Sequence, residues 1–273
     1  MTAALLAQDR SASSAILEAR GITKNFGHVE ALRGVDFAAH AGEVTALIGD
    51  NGAGKSTLVK ILSGVYQASS GSILLDGRPV TFNSPGDAHA KGLETVYQDL
   101  SVAQDLTPAA NMFMGRELLQ PGFWGWLGFL DNPRMREESA AAFQRLKVSL
   151  KDMDTPIASL SGGQRQSVAI CRAIMWAKRV VFMDEPTAAL GVVQTRRTLE
   201  LIRRIRDTGV AIVLISHNMR DVIEVADTIE VLRLGRRITR LRNDGISIQD
   251  LVGAMTGALD AGALDAGAEE QVA

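Results

Sequence analysis

Residues 49–57 read Gly-Asp-Asn-Gly-Ala-Gly-Lys-Ser-Thr. A glycine, four further residues and then Gly-Lys-Ser is the spacing of a loop whose backbone N–H groups surround a phosphate. The mostly apolar residues 43–48 before it are predicted to form a strand, and residues 57–62 after it have helical spacing. The partial positive charge at the start of a helix also favours a phosphate. The sequence therefore predicts a nucleoside triphosphate site between a strand and a helix.

Two side chains of this phosphate loop carry chemistry. Lys55 can neutralise the β- and γ-phosphate oxygens, and the Ser56 hydroxyl can bind the Mg²⁺ that accompanies a nucleotide. We expect the whole loop to contact the nucleotide, because its glycines let the backbone approach closely. The predicted nucleotide-binding residues of the loop are Gly49, Asp50, Asn51, Gly52, Ala53, Gly54, Lys55, Ser56 and Thr57.

Residues 180–186, Val-Val-Phe-Met-Asp-Glu-Pro, predict a buried strand that ends in two carboxylates. Nucleotides bind at the carboxyl ends of the strands in open α/β sheets, so we expect Asp184 to hold Mg²⁺ through its water shell. Glu185 beside it can act as the general base that polarises the attacking water. The alternative is an ordinary acidic turn after a strand.

Residues 160–164, Leu-Ser-Gly-Gly-Gln, stand just upstream of that apolar run and are called the signature stretch below. Together with the phosphate loop, they make the chain from about residue 16 to 257 resemble the ATP-binding cassette family. The resemblance implies an α/β fold, namely a P-loop NTPase cassette with a RecA-like core, an N-terminal antiparallel β subdomain and an inserted helical subdomain. It also implies ATP hydrolysis coupled to transmembrane transport.

The resemblance assigns roles to three side chains outside these stretches. Gln98 matches the family's glutamine that touches Mg²⁺ and the attacking water, and His217 matches the histidine that contacts the γ-phosphate. Phe26 matches a ring that stacks on adenine, where Tyr is usual. Packing of Phe26 in the core is the alternative. By resemblance, the catalytic residues are Glu185, His217 and Gln98, and the Mg²⁺ ligands are Ser56, Gln98 and Asp184.

The signature stretch implies a dimer. In the family, the serine that Ser161 matches and the start of the following helix cap the γ-phosphate held on another subunit's phosphate loop. Two subunits then enclose two ATP molecules head to tail. Gly191 departs from the family pattern, which usually has an aspartate there that helps to couple the two sites. The nucleotide-binding residues implied in the signature stretch are Ser161, Gly162, Gly163 and Gln164.

Three features together make the chain similar to the ATPases of bacterial monosaccharide importers. They are Gly191, Tyr-Gln-Asp-Leu-Ser-Val at 97–102 and Asn-Met-Phe-Met-Gly-Arg-Glu at 111–117. The chain resembles their single-cassette members, of the fructose/ribose type in carbohydrate uptake family 2. This implies import of a simple sugar through a separate permease, with an extracytoplasmic sugar-binding protein in the system. Import of another small solute is the alternative. A soluble cassette ATPase acting on DNA or ribosomes, and a non-hydrolysing nucleotide switch, are less favoured.

Composition predicts the organisation of the chain. Residues 15–245 are predicted to form the ATPase domain, with a helical subdomain at about 100–165 and a C-terminal helix at 246–257. Short alternating strands separated by turn signals predict antiparallel sheet near the N-terminus. Residues 1–14, which are rich in alanine and serine, are predicted to form a disordered lead-in. Residues 258–273 are predicted to be disordered because repeated small residues and aspartate cannot build a core, and a partner-binding tail is the alternative.

The segment 121–130 contains Trp124 and Trp126 among glycines and apolar residues. If it is exposed, it forms an apolar patch suited to a membrane-protein partner. If it is packed, it belongs to the core of the helical subdomain. Periodicity leaves both alternatives open.

The overall composition limits the classes of function. The 273 residues have a formal net charge of -2, without the basic excess expected of a nucleic-acid-binding protein. The single cysteine, Cys171, excludes an internal disulfide and fits a reducing compartment. No apolar run approaches the roughly 18 residues of a membrane span, and the first residues do not form a secretory signal. We expect a cytoplasmic protein held at the inner face of the cell membrane by its permease, with no nucleic-acid partner.

Overall fold

The computed structural model describes residues 15–150 and 152–258. The predicted disordered lead-in at 1–14 lies outside the described residues, as does the predicted tail from 259 onward. Within the described ranges the strands form one four-stranded and one six-stranded sheet. The strands are β1 (Leu17–Phe26), β2 (Val29–Ala39), β3 (Val44–Ile48), β4 (Ser70–Leu75), β5 (Arg78–Val80), β6 (Leu93–Val96), β7 (Val180–Asp184), β8 (Ala211–Ile215), β9 (Thr228–Arg233) and β10 (Arg236–Arg242).

The two sheets differ in strand direction. The four-stranded sheet has the order β2-β1-β4-β5 and is antiparallel throughout. The six-stranded sheet has the order β10-β9-β3-β8-β7-β6 and is parallel except where β10 pairs with β9. This arrangement confirms the predicted α/β fold with an N-terminal antiparallel sheet.

The helices pack mainly around the six-stranded sheet. Those between β6 and β7 pack largely on one another, as expected for an inserted helical region. The described helices are α1 (Lys55–Leu62), α2 (Pro85–Ala90), α3 (Pro108–Met112), α4 (Phe123–Trp126), α5 (Asn132–Arg145), α6 (Gly162–Trp176), α7 (Val192–Arg206), α8 (Met219–Val225) and α9 (Ile248–Thr256), with a 3₁₀ turn at Ile157–Ser159.

The parallel strands bring the segments after β3, β7 and β8 together at the carboxyl-terminal end of the sheet. Every residue of β3 and β8 is buried, as expected of central strands covered on both faces. Leu47 and Asp184 both lie in register with Ile215, the last residue of β8. The segments that follow β3, β7 and β8 therefore emerge side by side.

The aromatic segment at 121–130 is exposed. Phe123, Trp124 and Trp126 are 64%, 55% and 79% exposed. The rings pack chiefly on one another, as in the edge-to-face contact of Trp124 with Phe129 at 5.3 Å between centroids. The segment therefore forms an exposed apolar patch and the core interpretation is wrong, although Gly125 is buried at the centre of the turn. Contact of this patch with a membrane-protein partner stays a prediction.

Among the residues that the structure describes, we find no helix with the length and apolarity needed to cross a bilayer.

Candidate functional site

The phosphate loop between β3 and α1 is held against other backbone at two of its glycines. At Gly49 a Cβ atom would collide with the carbonyl oxygen of Leu232 on β9. At Gly54, where φ is +103°, a Cβ would lie 2.7 Å from Leu32 Cδ2 and 2.9 Å from the Ala31 carbonyl oxygen. Larger residues do not fit at these positions without displacing the neighbouring chain. The loop therefore keeps its shape because β2 and β9 support it.

The Lys55 ammonium group spans the phosphate loop. Its Nζ donates hydrogen bonds to the carbonyl oxygens of Gly49, at 2.6 Å, and Asp50, at 2.9 Å. Burial lowers the pKa of Lys55, and the carboxylate of Glu185 opposes this shift. A partly desolvated cation interacts more strongly with a phosphate than a fully hydrated one.

Asp184 and Glu185 stand at the carboxyl end of β7. Burial, followed by the neighbouring Glu185 charge, raises the pKa of Asp184. Glu185 has a φ of +49°, in the left-handed region where non-glycine residues are uncommon, and its N–H donates to the Ile215 carbonyl at 2.9 Å. This backbone conformation, fixed by β8, directs the two adjacent carboxylates. Both of them line the cavity above the phosphate loop.

His217 contacts Glu185 directly. The backbone N–H of His217 donates to Glu185 Oε1 at 3.0 Å, and its ring Nδ1 lies 2.7 Å from the same oxygen. The histidine side chain is 75% exposed, whereas that of Glu185 is 14% exposed. Glu185, the predicted general base, thus fixes the Nδ1 side of the His217 ring, and the rest of the ring is open to a ligand.

One cavity of about 620 Å³ brings most of the predicted site residues together. Gly49 and Asp50 contribute to it through the carbonyl groups that hold Lys55. Predicted residues that line it directly are Phe26, Asn51, Gly52, Ala53, Gly54, Lys55, Ser56, Thr57, Gln98, Asp184, Glu185 and His217.

The donor set of this cavity fits Mg²⁺. Ser56, Gln98 and Asp184 offer hydroxyl, amide and carboxylate oxygens, the hard ligands that this ion prefers. Burial and the neighbouring Glu185 charge raise the pKa of Asp184, and a cation beside its carboxylate would stabilise the charged form. Within 15–150 and 152–258, no cluster of three His, Cys, Asp or Glu side chains could hold a metal. A metal here would therefore need phosphate or water oxygens to complete its coordination.

Phe26 ends β1 at the rim of the cavity. Its side chain is 44% exposed, which does not fit the core-packing alternative. The Tyr66 ring meets it edge to face at 5.4 Å, and Lys24 Nζ lies 5.1 Å from its ring centroid. The ring therefore packs against Tyr66 and Lys24 while part of its surface is exposed, and stacking on adenine stays a prediction.

Sequence reasoning missed the contribution of β2 to the cavity. Val29, Glu30 and Ala31 line it beside Phe26. They do so because β1 and β2 form an antiparallel hairpin in which Phe26 pairs with Val29. The turn signal at residues 27–28, with polar and apolar residues on both sides, could have revealed this hairpin.

The signature stretch lies at a different place on the chain. Ser161 is the N-cap of α6, and its Oγ accepts a hydrogen bond from the Gln164 N–H at 3.3 Å. In return, Gln164 Oε1 accepts from the Ser161 N–H at 3.0 Å. This reciprocal capping box holds the serine in one orientation at an exposed helix start.

A second cavity, of about 380 Å³, borders the signature stretch. The structure therefore does not bring Ser161 into the cavity of Lys55 and Glu185 within one chain. The residues that line this second cavity are Lys147, Val148, Ser149, Ser161, Gly163, Gln164, Ser167, Gln194, Arg197, Thr198, Glu200, Leu201 and Arg204.

The chain is similar to known ABC transporter proteins. The sequence profile of the family described as "ABC transporter" matches residues 32–188. The fructose import ATP-binding protein of Rhizobium meliloti is 47% identical over 249 residues, which are 90% of this chain and 96% of that protein. The xylose/arabinose import ATP-binding protein of Sulfolobus acidocaldarius is 42% identical over 89% of this chain and 94% of that protein. The ribose import ATP-binding protein of Yersinia pestis is also 42% identical, but the match spans only 46% of its length.

Solved structures agree with this similarity. The ADP conformation of an ATP-binding cassette of an ABC transporter superposes with a TM-score of 0.73 at 26% identity, covering 89% of this chain and 95% of that one. A nucleotide-free cassette of an ABC transporter superposes with a TM-score of 0.71, also at 26% identity and with the same coverage.

Proposed function

This chain belongs to the ABC transporter family, and we propose that it hydrolyses ATP to drive the uptake of a simple sugar through a separate membrane permease. The observation that carries the proposal is the convergence of Lys55, Glu185 and His217 on one cavity above the phosphate loop. Three relatives whose names specify import of fructose, xylose/arabinose or ribose support the sugar class.

The geometry supports a direct attack of water on the γ-phosphate of ATP. The N–H groups of the phosphate loop and the Lys55 ammonium bind the phosphates, and they neutralise the charge that develops on ADP as the bond between the γ-phosphorus and the β–γ bridging oxygen breaks. Glu185 accepts the proton of the attacking water, and His217 reaches the γ-phosphate from the same wall. Ser56, Gln98 and Asp184 would hold the Mg²⁺ that accompanies ATP, which supplies further neutralisation of the phosphate oxygens.

The separation of the two cavities supports a dimer. Ser161 and the start of α6 are exposed, and they border a different cavity from that of the chain's own phosphate loop. We infer that this surface caps the γ-phosphate bound to a second copy of the chain, so that two ATP molecules lie head to tail between two subunits. The exposed Val192 and Val193, at 83% and 66%, follow Gly191 and suit burial in that interface.

The helical region at about 100–165 is the part we propose to contact the permease. Gln98 lies where β6 leads into this region, and Arg172 on α6 donates hydrogen bonds to the carbonyls of Leu100, at 3.3 Å, and Ser101, at 2.8 Å. A change at Gln98 would thus be passed to the signature helix and its neighbours. The full system would place the chain at the inner face of the membrane and include an extracytoplasmic sugar-binding protein.

Uptake by living cells tests the proposal. In a strain that lacks this chain but keeps its permease, the wild-type chain should restore uptake of labelled fructose, ribose, xylose or arabinose. Glu185→Gln should bind ATP with unchanged affinity yet lower its turnover about 10²–10⁴-fold, because the general base is lost. It should also fail to restore uptake. Glu224→Gln, at an exposed position on α8, is the matched control and should behave as wild type.

Two results would count against the proposal. Uptake restored by Glu185→Gln would show that hydrolysis at this cavity does not drive transport. ATP turnover that stays intact while none of the four sugars enters the cell would keep the ATPase and replace the sugar by another small solute.

A further inference from the structure

Gln194, in the first turn of α7, makes two contacts in opposite directions. Its Oε1 accepts a hydrogen bond from the Gly191 N–H at 2.8 Å. Its aliphatic stem covers Gly163, where a Cβ atom would lie 2.8 Å from Gln194 Cγ and 3.2 Å from Gln194 Cβ. One half-buried side chain therefore joins the loop before α7 to the start of α6.

The first contact reaches Glu185, the proposed general base, through a short loop that is held by its own hydrogen bonds. The Ala188 N–H donates to the Glu185 carbonyl at 3.0 Å, and the Leu190 N–H donates to the Thr187 carbonyl at 3.3 Å. Thr187 Oγ1 also donates to Asp221 Oδ2 on α8 at 2.7 Å. Because these bonds leave little slack between Glu185 and Gly191, a shift at one end of the loop moves the other end.

The second contact reaches the signature stretch. Gly163 is the second residue of α6, next to Gln164 of the capping box that orients Ser161. Since glycine has no side chain, the Gln194 stem packs directly on the helix backbone. The position of Ser161 is thereby tied to that of α7.

We propose that Gln194 is a positioning residue that makes the two half-sites on one chain move together. The inference rests on the proposed dimer, in which Glu185 and Ser161 of one chain serve different ATP molecules. Gln194 joins these two parts at the point where Gly191 lacks a carboxylate that could act across the interface. Its amide and stem provide the link inside the chain instead.

A purely structural role would also explain the hydrogen bond, because Gln194 caps the backbone at the start of α7. Loss of a cap lowers the melting temperature but leaves the turnover number of each folded chain unchanged. Loss of a positioning contact lowers kcat while the affinity of the chain's own phosphate loop stays the same. The two roles therefore differ in kcat per nucleotide-binding chain.

The test uses the full-length chain, assayed with its permease if the chain alone is inactive. Gln194→Ala removes both contacts, and Gln194→Met keeps the stem but loses the acceptor. We expect both variants to lower kcat about tenfold, with a KM for ATP within about twofold of wild type. Gln194→Glu keeps the stem and the acceptor, and Arg197 one turn later in the same cavity can balance its charge. It should restore at least half of the wild-type kcat.

Gln144→Ala, an exposed position on α5, is the matched control and should leave kcat unchanged. A wild-type kcat per binding-competent chain in Gln194→Ala would overturn the inference, and so would a Gln194→Glu variant no faster than Gln194→Ala. If Glu185→Gln remains fully active, the proposed catalytic site fails instead, so the two failures are distinguishable.

Discussion

Two regions of the molecule are built differently. The phosphate-loop half consists of residues 49–57 and the strands β2, β3 and β9 beside them, and the signature half consists of residues 160–164 with the starts of α6 and α7. The phosphate loop follows β3, a fully buried strand, and two of its glycines lie against neighbouring backbone. The signature stretch begins a helix at the surface and is held by its own capping box and by Gln194. Charge and chemistry therefore lie where the backbone is most constrained. The signature stretch, which we propose caps a nucleotide on a second chain, lies at an exposed helix start.

The largest effect is expected when the phosphate loop and the signature stretch are disabled on separate chains. Lys55→Met removes the phosphate-binding cation, and Ser161→Arg blocks the signature surface. Each variant alone should lose ATP turnover at least about 100-fold. An equal mixture should recover about a quarter of the wild-type rate, because half of the dimers are mixed and each holds one intact site. Turnover after mixing and re-equilibration of the purified chains is the measurement.

The double variant Lys55→Met/Ser161→Arg, mixed with wild type, is the control for this experiment. It places both changes on one chain and so inactivates both sites of every mixed dimer, which leaves only the wild-type homodimers, about a quarter of all dimers, active. No recovery in the first mixture, although mixed dimers form, would break the comparison by showing that both motifs serve one site. Recovery well below a quarter would sharpen it by measuring the coupling between the two sites.

The contribution of the phosphate-loop half to the free energy of unfolding should depend on pH. Glu230 on β9 is fully buried in register with Leu47 of β3, with Arg240 at 3.5 Å and Arg237 at 3.9 Å. Burial raises its pKa to about 7. Between its ordinary value and about 7, the folded chain keeps a proton that the unfolded chain has released, so stability falls as pH rises.

Glu230→Gln removes this titration. The free energy of unfolding of the variant, relative to wild type, should increase between about pH 4.5 and pH 7 by up to about 3 kcal/mol. Urea unfolding of the variant and of wild type at several pH values measures the difference. A difference that does not change with pH would show that the buried carboxyl does not lower the stability of this half as pH rises.

A smaller effect is expected at Phe26, the ring that is predicted to stack on adenine beside the same half. Phe26→Ala should weaken ATP binding about 5- to 10-fold, because one stacking surface is lost. Phe26→Tyr keeps the ring and should bind like wild type. Equilibrium binding of ATP to the Glu185→Gln background measures both without turnover. Equal affinities for Phe26→Ala and wild type would remove the ring from the site.

The smallest effect is expected outside both halves, in the exposed aromatic segment. Trp126 is 79% exposed, so Trp126→Ser should change the free energy of unfolding by no more than about 0.5 kcal/mol and leave ATP turnover unchanged. Phe182→Ala, at a fully buried position on β7, should by contrast cost about 3–5 kcal/mol. Urea unfolding of both variants makes the comparison. A large loss of stability in Trp126→Ser would mean that the segment is packed.

The chemistry of the site could be predicted from the sequence, because it is written in contiguous residues. Gly-Lys-Ser at 54–56 and Asp-Glu at 184–185 keep their meaning in any chain that presents them after a strand. The hairpin residues Val29 to Ala31 and the contact of Gln194 with Gly163 could not, because they join segments that only folding brings together.

The sequence by itself determined the fold class, the family and the candidate side chains for phosphate binding and water activation, since local spacing sets which backbone and side-chain groups can converge. The tertiary structure decided that the carboxyl ends of β3, β7 and β8 meet at one edge, that the signature stretch faces a different cavity, and that the aromatic segment is exposed. These features depend on strand order and burial, which arise from contacts between residues far apart in the chain. Hydrophobic periodicity depends only on residues that are close in sequence, so it cannot predict these features.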